Sequence, residues 1–395
     1  MILSKSKLLT IPIYFLIGLL LFGCDNSSKS TVEIISHTST PTQSATRSPT
    51  NTKESTPTAI VISRTPINLD YEYSNSSLVL SFYYYDESGM PIENSQIYIM
   101  NLNGEIEKQL TNADESLIYH NDTVWSPDCQ MIAFTKDTGF FDNEYHEMIN
   151  IIDKEGNFIT EILTPYQINS SPSWSPDGRR IAFDAWLGEN SQIFKYDLDT
   201  QSITQITSDG SNQSPDWSPT NEYIVFQSRR VEDYGPSIYI MNPDGSSQKE
   251  IVPSFWGNDP SDFDHPGMDL PSNPKWSPDG KHIALQVRED YLDNQVVKIY
   301  ISDLDGSNLH RLIDGDPHNF DLNDPDFYFI NEHYPLWSPD GMYIFFIRMS
   351  SYSGYTQLCY ADVKTGEWSC LTNQYENIVV LGVDWCHANQ DTEVK

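Results

Sequence analysis

Two stretches of this chain concentrate oxygen ligands. Residues 253–275 and 314–336 hold Asp259, Asp262, Asp264, Asp269, Asp314, Asp316, Asp321, Asp324, Asp326 and Glu332, with Lys275 as the basic counterweight at one edge. Carboxylates crowded in this way repel one another, and a hard cation relieves the repulsion by taking oxygen ligands. Asp259, Asp262, Asp264, Asp314 and Asp316 are therefore candidate calcium ligands, although EF-hand spacing is missing. Aromatic residues are interleaved with the acids: Phe255, Trp256, Phe263, Phe320, Phe327, Tyr328 and Tyr334. Flat rings beside carboxylates suit a sugar or a basic peptide. On this reading Trp256, Asp262, Asp264, His265, Asp269, Phe320, Asp324, Asp326, Tyr328 and Tyr334 form the candidate ligand and partner face. His265, His318 and His333 lack the spacing of a transition-metal site and more often cap loops. The plain alternative is that the rings pin these loops to the body of the protein while the acids stay solvated.

Catalytic signatures are missing: there is no G-x-S-x-G elbow and no HExxH. A pair of carboxylates could still run glycoside hydrolysis or lyase chemistry, so a carbohydrate-active enzyme is the rival to a non-catalytic binding protein. Charge narrows the partners. With 23 basic and 56 acidic residues the chain carries a formal charge of −33, which disfavours nucleic acid and anionic headgroups because phosphate binding depends on Lys and Arg. Cations, cationic peptides and neutral glycans remain, and a monomer is expected.

The elements that position these stretches are set by an internal repeat. Six tryptophans recur in similar surroundings, Trp125 (WSPDC), Trp174 (WSPDG), Trp217 (WSPTN), Trp276 (WSPDG), Trp337 (WSPDG) and Trp385 (WCHAN), at steps of 49, 43, 59, 61 and 48 residues. Ser and Asp bond their own backbone to close a turn, Pro presets φ, and Gly accepts the left-handed conformation that ends it. Each motif thus reads as a Trp-bearing strand and a tight turn. An apolar strand follows (IAF, IVF, IAL or IFF), then a third strand such as Ile238 to Met241, an Asx-Gly turn and a fourth strand. A period of this length with four strands per unit is a propeller blade, and the Trp is expected to pack between blades.

The WSPDG–IAF–IYxM–DG–LT period resembles the WD40-like PD40 repeats of TolB-type propellers over residues 70–389. The resemblance implies an all-β, six-bladed propeller and an adaptor that works through protein contacts at the cell envelope. It transfers no binding residues, because TolB-like proteins carry an α/β domain ahead of the propeller where this chain has a Ser/Thr/Pro-rich tract. Blade count follows from the ends: the strand from Leu78 lacks its Trp strand, and residues 378–386 supply it, so pairing of the N- and C-terminal strands closes the ring. In such blades the turns between strands one and two and between three and four share one rim. Here those are uniformly short, and every long connection falls on the other rim.

The N-terminus reads as an address. Lys5 and Lys7 precede an apolar run from Leu8 to Phe22 and then Gly23-Cys24, which resembles a bacterial lipoprotein signal over residues 1–23 with lipidation at Cys24. Residues 24–69 are rich in Ser, Thr and Pro and too poor in apolar residues to fold, so they are expected to tether the propeller outside the cytoplasm, with residues 390–395 as a tail. The other four cysteines are even in number, as an oxidising compartment favours. Cys359 and Cys370 flank a hairpin turn and are expected to bridge; Cys129 and Cys386 fall in adjacent blades, and their pairing is left open.

Overall fold

The computed structural model describes residues 77–84, 94–112, 119–141, 144–230, 235–256, 268–291, 294–313, 330–350, 356–372, 375 and 378–386. Cys24, the tether and the tail lie outside them. All regular structure among the described residues is β, in six sheets. Blade 1 has the order β25 (Ile378–Cys386), β1 (Ser77–Tyr84), β2 (Gln96–Met100) and β3 (Ile106–Gln109). Blade 2 is β4 (Tyr119–Trp125), β5 (Met131–Phe141), β6 (Glu144–Asp153) and β7 (Phe158–Ile162). Blade 3 is β8 (Asn169–Trp174), β9 (Arg180–Trp186), β10 (Ser191–Asp197) and β11 (Ser202–Gln205). Blade 4 is β12 (Ser211–Trp217), β13 (Ile224–Arg229), β14 (Ser237–Met241) and β15 (Lys249–Val252). Blade 5 adds a short strand, β16 (Phe255–Trp256), ahead of β17 (Met268–Trp276), β18 (His282–Tyr291), β19 (Asn294–Asp303) and β20 (His310–Arg311). Blade 6 is β21 (Ile330–Trp337), β22 (Tyr343–Ser350), β23 (Thr356–Asp362) and β24 (Trp368–Cys370).

The Trp strands are innermost. β4 touches β8, β8 touches β12, and the sequence continues through β17, β21 and β25 back to β4, which closes the ring. Closure rests on the antiparallel ladder from Ser77↔Cys386 to Tyr84↔Ile378, so the chain ends complete one blade as the repeat count requires. The apolar second strands are buried on both faces; Ile132, Ile181, Ile224, Ile283 and Ile344 are each 0% exposed, because every blade is covered by two neighbours.

The turn chemistry follows the residues. The Ser hydroxyl donates to the Asp carboxylate two residues on, at 2.6 Å for Ser126–Asp128 and Ser175–Asp177 and 2.7 Å for Ser277–Asp279 and Ser338–Asp340. The fourth turn position is left-handed, φ 68° at Gly178, and Cys129 (φ 55°) and Asn221 (φ 61°) adopt the same conformation where Gly is replaced. The tryptophans are core: all six are 5–8% exposed, and the indoles of Trp174, Trp276 and Trp337 donate to the carbonyls of Val124, Asp216 and Lys275 in the preceding blade.

One sequence expectation needs correcting. The stretches 253–275 and 314–336 are not loops throughout, since β16, most of β17 and most of β21 fall inside them. Prolines 274 and 335 argue against strand when read from sequence. They are tolerated because five innermost strands bulge there, with a left-handed residue three before the Trp (Asp122, Ser171, Ser214, Asn273, Tyr334; φ 46–56°), and a bulge position needs no ladder N–H.

Candidate functional site

The bulges aim a set of charged side chains at the propeller axis that the sequence reading did not single out. Residues directly before the Trp are Val124, Ser173, Asp216, Lys275, Leu336 and Asp384. Three of these bind the next blade through its Trp N–H: Asp384 accepts from Trp125 at 2.6 Å, Ser173 from Trp217 at 2.9 Å and Asp216 from Trp276 at 2.9 Å. Lys275 donates to Asp216 at 3.1 Å. One level along the axis, Asp122 accepts from the Ser171 N–H at 3.3 Å and the Thr135 hydroxyl at 3.1 Å; Asp184 accepts from the Ser214 N–H at 3.0 Å and the Ser170 hydroxyl at 3.1 Å. The only sequence signal for this hub was a charge next to a buried Trp (PDW, PKW, VDW), a position that strand alternation alone would read as solvent-facing.

Burial governs the electrostatics here. It pushes Asp184 up to about 7 against the opposing hydrogen bonds of Ser214, Ser171 and Ser170, with Asp122 adding repulsion. Asp384 is pushed up to about 6, again by burial, opposed by the Trp125 and Trp385 N–H groups and by Lys275. Asp122 is raised for the same first reason. Burial alone would lower Lys275, but Asp216, Asp384 and Asp122 outweigh it and hold the ammonium above its ordinary value. Lys275 lies among these carboxylates, yet 35% of its side chain is exposed, so its charge is partly solvated. The hub can hold and exchange protons near neutral pH. It stitches backbone to backbone around the axis.

A directed hydrogen-bond chain crosses three blades beside it. The Ser214 hydroxyl donates to Asn273 Oδ1 (2.8 Å), Asn273 Nδ2 to Gln286 Oε1 (2.5 Å), and Gln286 Nε2 meets His333 Nδ1 at 3.0 Å. Gln286 Oε1 also accepts the Tyr334 N–H at 3.2 Å, which fixes the amide and makes Nδ1 the acceptor, so His333 carries its proton on Nε2. Burial lowers the His333 pKa to about 4 and keeps the ring neutral.

Of the residues singled out in the sequence, Asp259, Asp262, Asp264, His265, Asp314, Asp316, Phe320, Asp324, Asp326 and Tyr328 lie outside the described residues. Trp256 and Asp269 come together across the short β16–β17 ladder (Phe255↔Asp269, Trp256↔Met268). Tyr334 is a bulge residue on β21, its ring 5.9 Å from that of His333. Glu332 is engaged elsewhere: its side chain is 3% exposed and bound to Lys298 Nζ (3.4 Å) and the Ile299 N–H (3.2 Å). Among the described residues no group of three or more His, Cys, Asp or Glu could hold a metal ion. Two disulfides are formed, Cys359–Cys370 across the β23–β24 register and Cys129–Cys386 between blades 1 and 2.

This geometry is that of a TolB-like six-bladed β-propeller carrying PD40 repeats: residues 140–268 match the family model "TolB beta propeller domain". An uncharacterized protein of Agrobacterium fabrum is 26% identical over 257 residues, 64% of this chain and 78% of its own length. The Tol-Pal system protein TolB of Hahella chejuensis is 35% identical over 60 residues, 15% of this chain and 14% of that protein. The crystal structure of TolB from Acinetobacter baumannii has the same fold, with a TM-score of 0.58 at 20% identity over 79% of this chain and 66% of the other. The chain therefore spans a small part of the Hahella relative and just under two thirds of the solved one. Among the described residues no helix is long and apolar enough to cross a membrane.

Proposed function

We propose that this protein is a non-catalytic scaffold of the cell envelope, anchored outside the cytoplasm by a lipid on Cys24 and presenting its propeller on the 24–69 tether. It binds a protein partner through the rim that carries the long crossovers. One observation carries the reading: among the described residues the turns from each Trp strand and those before each outermost strand are short, while the two longest connections, 257–267 and 314–329, precede β17 and β21 at the opposite end of the innermost strands. A framework so regular that varies on one side alone supports recognition on that side. The TolB likeness supports a protein rather than a glycan as partner.

Two experiments test this. Crosslinking in intact cells, with the full chain as bait, is expected to capture an envelope protein. Replacing 257–267 and 314–329 by short Gly/Ser linkers should lose it while leaving the fold intact; retained capture, or product formed from a glycan panel, overturns the reading. Cys24→Ala is expected to abolish detergent partitioning of the mature protein, and unchanged mass and partitioning would remove the lipid anchor.

A further inference from the structure

The outermost strand of blade 2 is unlike those of the other blades. β3 exposes Glu107, Lys108 and Gln109, β11 exposes Ser202, Thr204 and Gln205, β15 exposes Lys249 and Glu250, β20 exposes His310, and β24 has Trp368, Ser369 and Cys370 all half-buried. β7 instead exposes Phe158 (63%) and Ile159 (46%), and Leu163 (74%) stands just past its end. These are three of the six large apolar side chains exposed among the described residues, and they fall within one run of chain. Large exposed apolar side chains gathered along one outer strand point to an interaction site.

The backbone of β7 adds a second feature. One edge pairs with β6 (Ile149↔Ile162, Asn150↔Glu161, Ile151↔Thr160, Ile152↔Phe158), and no described strand pairs with the other. An edge strand offers free N–H and C=O groups to any extended chain, and native proteins guard such edges with charge, as β3 and β15 do here. β7 has one charge, Glu161. The extra residue at Ile159 bends the start of the strand, so the straight stretch available for pairing runs from Thr160 onward.

Charge selects the occupant. A second copy would set Glu161 near Glu161 between bodies each carrying −33, whereas a basic segment meets Glu161 on the strand and the net negative charge of the whole chain; the turn at the foot of β7 is balanced, Asp153 and Glu155 against Lys154 and Lys108. We propose that β7 docks an extended, net-basic segment of another protein, which adds as a strand to blade 2 and covers Phe158 and Leu163 with its apolar side chains. This surface lies on the outer strand of blade 2, whereas 257–267 and 314–329 lead into β17 and β21 of blades 5 and 6, so the two bind independently.

The test uses the full chain and two labelled probes, an alternating Lys/Val hexapeptide amide and its Glu/Val counterpart, followed by fluorescence anisotropy. The Lys/Val peptide is expected to bind and the Glu/Val peptide to fail. Phe158→Ser with Leu163→Ser, which keeps the charge and changes only exposed positions, should weaken binding at least tenfold, while Tyr223→Ser with Met342→Ser should not change it. Equal binding of both peptides, undiminished binding to the Phe158/Leu163 variant, or a sedimenting dimer that the same variant dissociates each overturns the proposal. The crossover deletions of the previous section leave β7 intact, so loss of the envelope partner there with peptide binding retained separates failure of one reading from failure of the other.

Discussion

The contact between blades 1 and 2 and that between blades 4 and 5 solve the same packing problem differently. In each, a carboxylate before the Trp accepts the N–H of the next blade's Trp, Asp384 for Trp125 and Asp216 for Trp276. Between blades 4 and 5 that carboxylate is also bound directly by Lys275, and the Trp276 indole returns a bond to the Asp216 carbonyl. Between blades 1 and 2 no lysine touches Asp384, the Trp125 indole N–H has no partner, and Cys129–Cys386 is present instead. The difference follows from connectivity. β25 is the last strand of the ring, held to β1 by a ladder alone, and the disulfide at its end fixes it to blade 2 as well. Gly382 lets β25 lie close: a Cβ there would stand 3.0 Å from the Asp122 backbone N in blade 2.

The sharpest way to break this comparison is to cut the covalent link. Cys386→Ser removes a crosslink closing 257 residues of chain, for which the chain-entropy model gives on the order of 5 kcal/mol, against about 3 for the 11-residue separation of Cys359 and Cys370. Thermal unfolding should show a larger fall in Tm for Cys386→Ser than for Cys370→Ser; equal falls would mean that the ladder alone holds the ring. Free thiols at both pairs on peptide mapping would remove the premise.

Lys275→Met strips the direct counter-ion from Asp216 and removes the cation that Asp216, Asp384 and Asp122 all feel. The expected loss is about 1–3 kcal/mol, below that of a fully buried pair because the side chain is partly solvated. Asp216→Asn in the same chain should restore part of it, and a denaturant midpoint unmoved by Lys275→Met would show that the disulfide and Trp packing suffice at both contacts.

The raised carboxylates give a pH test. For Asp184 and Asp384 the folded values, about 7 and about 6, exceed the ordinary 3.8, so the folded form takes up the proton first. The contribution of these two carboxylates to stability therefore rises as pH falls from 8 through these values and levels off toward 4, while the buried neutral His333 contributes in the opposite sense below about 6.5. Asp184→Asn should raise Tm at pH 8 and flatten the profile from about pH 7 down to about 4, whereas Asp384→Asn should flatten it only from about pH 6 down to about 4. Because acidification also relieves the general repulsion of an acidic chain, only the difference between variant and parent counts. The smallest effect concerns the crossovers: millimolar calcium is expected to raise Tm and Asp262→Asn with Asp324→Asn to abolish the rise. An indifferent melting curve discards the ion.

The axial hub shows where reading a chain residue by residue stops. In sequence, Asp216 and Asp384 stand as isolated charges beside a Trp, and Lys275 reads as a counterweight to the acidic stretches. Its partner proved to be Asp216, 59 residues earlier in the chain and one blade away. Pro274 and Pro335 disguised the starts of β17 and β21 as loop, because a bulge that excuses proline from the ladder has no local signature.

What the sequence determined by itself was everything with a local or periodic cause: the Trp–turn motif, whose Ser, Pro, Asp and Gly close a turn by their own bonds; the alternation of four strands; the count of six; and closure by the chain ends, which follows once a blade is found split. Tertiary structure alone decided which side chains the innermost strands bring together, which carboxylates burial raises, and that one outer strand of six exposes large apolar side chains. Those properties depend on the low dielectric and the neighbours that a closed ring supplies, and they arise only when residues far apart in the chain are brought together.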